Sequence, residues 1–134
     1  MEDKKVPDGW YEVIFFLITL GASNNGSEFI DFNLLVRDDV SQPVQGQHIH
    51  LPLWRSKKTN KYSRYRLIQM AKSCNLPVKN YRSLDEVMQA FQGRIARVKL
   101  VNEAHKVNGS IYEEISAVRW SHSEIERKLS DGSN

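Results

Sequence analysis

A single cysteine, Cys74, occurs in the 134 residues, which excludes an internal disulfide and a cysteine-built zinc site and leaves thiol redox chemistry without a framework. Long apolar runs are missing too. The longest, Val13 to Leu20, is interrupted by Thr19 and falls far short of the roughly 20 residues a membrane-spanning helix needs, so it reads as a buried strand and no membrane partner is expected. The N-terminal Met-Glu-Asp-Lys-Lys carries acids where a secretory leader carries a basic region, which predicts a cytoplasmic protein. One-signed charge is scarce overall: 19 basic and 16 acidic side chains leave a net +3, so any affinity for anions has to come from local clustering.

Catalytic constellations are equally thin. His48 and His50 stand at i and i+2 on one strand face but have no third ligand of fitting type beside them, so no metal site is predicted. Glu113 and Glu114 alternate to opposite faces of a strand and cannot serve one substrate as a matched acid and base. The chain therefore reads as a non-enzyme without a cofactor. A nuclease would require clustered carboxylates or histidines, and here they are scattered.

What the chain does have is one strongly biased stretch. Trp54 to Arg66 holds Arg55, Lys57, Lys58, Lys61, Arg64 and Arg66, no acid, and the aromatics Trp54, Tyr62 and Tyr65. Cations spaced by flat rings suit a flexible polyanion, because ammonium and guanidinium groups take phosphates while rings stack on unpaired bases. The same composition also fits a solvated connection running into a helix, with lysines for solubility and tyrosines against the core.

The surroundings of that stretch favour the first reading. With 40% hydrophobic and 26% charged residues, the chain suits one soluble domain, placed at 10–120 between a loose polar arm (1–9) and a polar tail (121–134). Trp10 to Leu20 predicts a strand covered on both faces, and Asn24-Asn25-Gly26 a hairpin turn. From Glu28 to Arg37, Ile30, Phe32, Leu34 and Val36 point inward, while Phe29, Asp31, Asn33, Leu35 and Arg37 point outward. In the third strand, 47–54, Ile49, Leu51 and Leu53 face the core and His48, His50 and Trp54 the outside; Pro52 predicts an edge position or an early end to the strand. Two helices follow, one with Leu67, Ile68, Ala71 and Cys74 at helical spacing, the next capped by Ser83 and ending at Gly93. A fourth strand at 94–102 and a fifth at 111–120 form a hairpin whose tip, 103–110, carries His105 and Lys106. Ile125 and Leu129 are spaced for a weak terminal helix, and the last five residues read as disordered.

Three strands, a helical insertion and a hairpin give a mainly β chain in the element order of an OB-fold, a five-stranded partly open barrel with its helices between strands 3 and 4. Such barrels bind oligonucleotides on strands 2 and 3 and on the loops joining strands 1 to 2 and 4 to 5. The predicted interface is Phe29, Asn33, Arg37, His50, Trp54, Arg55, Lys57, Lys58, Lys61, Tyr65 and Lys106, with Trp54, Phe29 and Tyr65 stacking and the cations on phosphates.

Gly-Ser-Glu-Phe-Ile at 26–30, Leu-Leu-Val-Arg-Asp-Asp at 34–39, Ile-His with Trp and Ser-Lys-Lys at 49–58, Ala-Lys-Ser-Cys-Asn-Leu-Pro at 71–77, Ser-Leu-Asp-Glu-Val-Met-Gln-Ala-Phe-Gln-Gly-Arg at 83–94 and Asn-Gly-Ser-Ile-Tyr-Glu at 108–113 carry a resemblance from about Val6 to Trp120. The chain resembles a family of small phage and prophage proteins, long catalogued as a domain of unknown function and assigned as OB-fold single-stranded-DNA-binding proteins. The resemblance implies a DNA-binding protein of phage replication or recombination in a bacterial host, with single-stranded DNA and replication or recombination proteins as partners, and it is compatible with a homo-oligomer. The acidic recruiting tail of many such proteins is replaced by a mixed one, with Glu124, Glu126 and Asp131 among Arg127 and Lys128. An OB barrel docking another protein is the alternative.

Overall fold

Period-2 alternation in the second and third strands translates directly into burial. Ile30, Phe32, Leu34 and Val36 are at most 1% exposed, and Ile49, Leu51 and Leu53 at most 8%. A computed structural model describes residues 4–77 and 83–125. Its elements are β1 (Gly9–Ala22), β2 (Glu28–Val36), β3 (His48–Trp54), α1 (Arg64–Ser73), α2 (Leu84–Phe91), β4 (Ile95–Val107) and β5 (Ser110–Ser121). All strand pairs are antiparallel, in one sheet of order β3-β2-β1-β4-β5. The sheet curls until its edges, β3 and β5, come within 8 Å in places, yet they are not hydrogen-bonded neighbours and the sheet stays open.

The helices close the hollow of the sheet. Ser63 and Ser83 cap them by accepting from the backbone N–H groups of Arg66 and Glu86. Phe91 on α2 packs against both Phe15 and Phe32, with ring centroids 5.1 and 5.5 Å away, and Trp120 on β5 stacks on Phe15 at 5.5 Å. Cys74 is a small core residue at the end of α1, and burial pushes its thiol up to about 11. Pro52 sits on an edge strand, where its missing N–H costs the ladder nothing.

Four expectations are corrected. β1 is covered on both faces only around Tyr11 to Val13; a bulge between Phe15 and Leu17 shifts the register, and Phe16, Leu17 and Leu20 stand 41–47% exposed. Residues 4–9 are tied down: Val6 is buried, the Tyr11 hydroxyl donates to the Pro7 carbonyl, and Asp8 accepts from both the backbone and the side-chain amide of Asn102. The β4–β5 hairpin pairs to its end, with only Asn108 and Gly109, both at positive φ, outside the ladder; His105 and Lys106 are strand residues opposite Tyr112 and Ile111. The fourth correction concerns Arg37. β2 ends at Val36, and Arg37 turns inward to 0% exposure. The weak terminal helix through Leu129 and the disordered end fall outside the described residues, apart from Ile125.

Arg37 is held by charge. Its Nε and Nη2 donate to the two carboxylate oxygens of Asp39 at 2.9 and 2.7 Å, Nη1 lies 3.6 Å from Glu12, and Nη1 also donates to the Ile125 carbonyl. Glu12, itself 5% exposed, accepts from the Ser123 hydroxyl and the Glu124 N–H, so the group joins β1, the end of β2 and the segment after β5. The Arg37→Ala variant removes the fully buried cation of the group, leaving Glu12 with Arg97 at 3.9 Å as its remaining ion pair, and should lose about 3–5 kcal/mol of stability, read as a lower urea midpoint. A loss under about 1 kcal/mol would show that the group is not the clamp described.

Candidate functional site

The outward side chains of β2 and β3 form cross-strand rows. Phe29 pairs with Trp54, Asp31 with Pro52, and Asn33 with His50; β1 continues these rows with Gly21, Thr19 and Leu17. Gly21 is there because of Phe29: a Cβ at residue 21 would lie 2.4 Å from Phe29 Cζ, so the bare backbone lets the ring lie across β1. Phe29 in turn packs on Trp54, with centroids 4.6 Å apart and planes at 51°, while the indole remains 47% exposed. Toward the other end, His50 Nδ1 is 2.7 Å from Asp31 Oδ2, His48 Nδ1 is 2.9 Å from Asn33 Oδ1, and His48 meets the Phe16 ring edge-on at 4.8 Å. The face is thus aromatic at one end and rich in hydrogen-bonding groups at the other.

The basic stretch leaves β3 beside the aromatic end. Its loop is closed by the Ser56 N–H donating to the Lys61 carbonyl, with Asn60 in the left-handed region. Two side chains fasten it to the start of β2: Arg55 lies 3.7 Å from the Glu28 carboxylate, and the Tyr62 hydroxyl donates to the same carboxylate at 2.6 Å. Burial, then that hydrogen bond, pushes Tyr62 up to about 12. Lys57, Lys58 and Lys61 stay exposed. Tyr65, on the first turn of α1, is 70% exposed, and its hydroxyl accepts from Gln69 Nε2 at 2.8 Å, which fixes the ring while leaving it open.

Of the predicted residues, Phe29, Asn33, His50 and Trp54 share one face, and Arg55, Lys57, Lys58, Lys61 and Tyr65 follow it in the adjoining loop and helix. Lys106 is exposed on the hairpin arm, two residues before the turn. Arg37 leaves the set: a fully buried guanidinium occupied by Asp39 and Glu12 cannot reach a phosphate. Phe16 was missed because a bulge carries no periodic signal.

One cluster was also missed. Glu103, His105 and Glu114 bring potential ligand atoms within 4.8 Å of one another, the one such group among the described residues. His105 Nε2 lies 2.8 Å from a Glu114 oxygen but out of line for a hydrogen bond, and Glu103 accepts from the Ser116 hydroxyl. Imidazole plus two carboxylates is a donor set that zinc or manganese accepts, though exposed acidic groups of this kind are common without an ion. Its signal in the sequence was the i, i+2 spacing of Glu103 and His105 in a segment read as loop.

A family model described as a protein of unknown function, DUF669, matches residues 1–127, all seven elements included. The chain belongs to this family. No curated protein matches it. The DUF669 match covers the whole described face, from Gly21 and Phe29 to Tyr65 and the hairpin arm.

Burial of the Tyr62 phenol, together with its hydrogen bond to Glu28, sets a pH dependence for this DUF669 chain. Because the folded state raises the phenol from 10.0 to about 12, the stability it contributes is complete below about pH 10 and is lost as pH climbs toward 12. Tyr62→Phe should show lower stability at neutral pH and a shallower decline across that window, measured as urea midpoint against pH. Parallel declines in the two proteins would mean that the tether is not formed.

Proposed function

We propose that this protein binds single-stranded DNA without catalysis, as an OB-fold protein of the phage replication and recombination type working in the cytoplasm of a bacterial host. The OB reading is supported by the strand order, by the facing edges of β3 and β5 and by the position of both helices between β3 and β4. The observation that carries the functional reading is the adjacency of the exposed Trp54–Phe29 pair to a loop whose Lys57, Lys58 and Lys61 are exposed. Rings with open faces take bases of any sequence, and ammonium groups beside them take the phosphates. Asp31, Asn33, His48 and His50 add donors and acceptors for the Watson–Crick edges of unpaired bases, which a duplex commits to its own pairing.

A second reading, an interaction module for a replication or recombination protein, has one observation in its favour. Among the described residues β5 presents an edge without a sheet partner, the arrangement a peptide strand extends by backbone hydrogen bonds, whereas Pro52 interrupts the free edge of β3.

Fluorescence titration of a single-stranded oligonucleotide at two salt concentrations, with duplex as control, separates the readings. Tight, salt-dependent binding with weak duplex binding is the expected outcome. Trp54→Ala should cost about 1–3 kcal/mol, and each of Lys57→Ala, Lys58→Ala and Lys61→Ala should shallow the salt slope by about 0.7, the single-strand value for one phosphate contact. Unchanged affinity in Trp54→Ala would overturn the assignment of this face, and weak binding insensitive to salt would favour the protein partner.

A further inference from the structure

Beyond β3 the surface drops into a cleft of about 880 Å³ between β3, α1 and β5. Trp54 stands on its rim and so belongs both to the outward face and to the cleft. Past Trp54 the walls carry Tyr65, Arg66 and Gln69 from α1 and Arg119 from β5. Both arginines are exposed, and neither is ion-paired among the described residues, whereas Arg55 and Arg97 are each committed to carboxylates. Two uncommitted guanidinium groups, one from α1 and one from β5, thus line the same cleft, and each has the fork geometry that suits phosphate. Tyr65, steadied by Gln69, presents a ring to the same space. Glu103 and Glu114 also line the cleft and bring negative charge to it.

We infer that the cleft is a second segment of the polynucleotide track, an inference that rests on the proposed single-strand binding. The strand leaves the outward face at Trp54, crosses the opening between β3 and β5 with Arg66 and Arg119 on successive phosphates and a base on Tyr65, and is repelled by the carboxylates of Glu103 and Glu114. The ligand is thus a single-stranded backbone long enough to occupy face and cleft together, and Arg66 and Arg119 join the binding residues as the groups that read its length.

The test uses the full chain with oligothymidylates of about 4 and about 16 nucleotides, the span of site sizes for folds of this kind. The wild type should bind the longer one more tightly. The double variant Arg66→Ala/Arg119→Ala, checked for an unchanged thermal midpoint, should lose at least about tenfold on the longer oligonucleotide, leave the shorter one unchanged, and shallow the salt slope for the longer one by about 1.4, or about 0.7 per phosphate released. Wild-type affinity for both lengths in the variant, or an equal loss on both, overturns the cleft segment while leaving the face intact. If the wild type binds neither oligonucleotide, the single-strand reading itself has failed and the cleft segment goes with it.

Discussion

The ion group built on Arg37 is what the rest of the architecture depends on. A guanidinium at 0% exposure is tolerable only because Asp39 grips it at two oxygens and Glu12 stands at 3.6 Å. Glu12 sits on the central strand β1, and it also accepts from Ser123 and Glu124 beyond β5. One buried charge cluster therefore joins the middle of the sheet, the exit of β2 and the end of the last strand. The apolar core supplies the bulk of the burial, but it is this group that specifies which chain segments meet at that end.

From that end the candidate surface is assembled by small local devices. The bulge between Phe15 and Leu17 releases β1 from strict alternation and turns Phe16 outward toward His48. Gly21 leaves room for Phe29, and Phe29 supports the indole of Trp54. Glu28 then holds the basic loop at the same place through Arg55 and Tyr62. Each device costs little and acts on its neighbour, so the face and the loop become one continuous surface.

Much of this was legible in the chain. Strict alternation in 28–36 and 48–54 gave the faces of β2 and β3, Pro52 gave the edge, and Ser83 with Glu86 gave the start of α2. Arg37 was misread because the alternation was carried one residue past the end of β2, where the chain turns. The clue was present in Glu12, an acid inside an otherwise apolar strand that calls for a buried cation. The hairpin arm was misread because residues 103–107 have no apolar periodicity; its long ladder is held by backbone pairing and by Asn108-Gly109, signals that mark a turn but not where pairing begins. The cleft had no signature, since it is made by edges distant in sequence that meet only once the sheet has curled.

Pro52 has a consequence for how these molecules behave in a crowd. It sits within an outer strand whose free backbone would otherwise invite a neighbouring copy to stack rung by rung. A copy approaching along β3 meets a ring where a donor is needed, and one of its own carbonyls is left unanswered. Fibre growth through that side is thereby discouraged without any change to the face beside it.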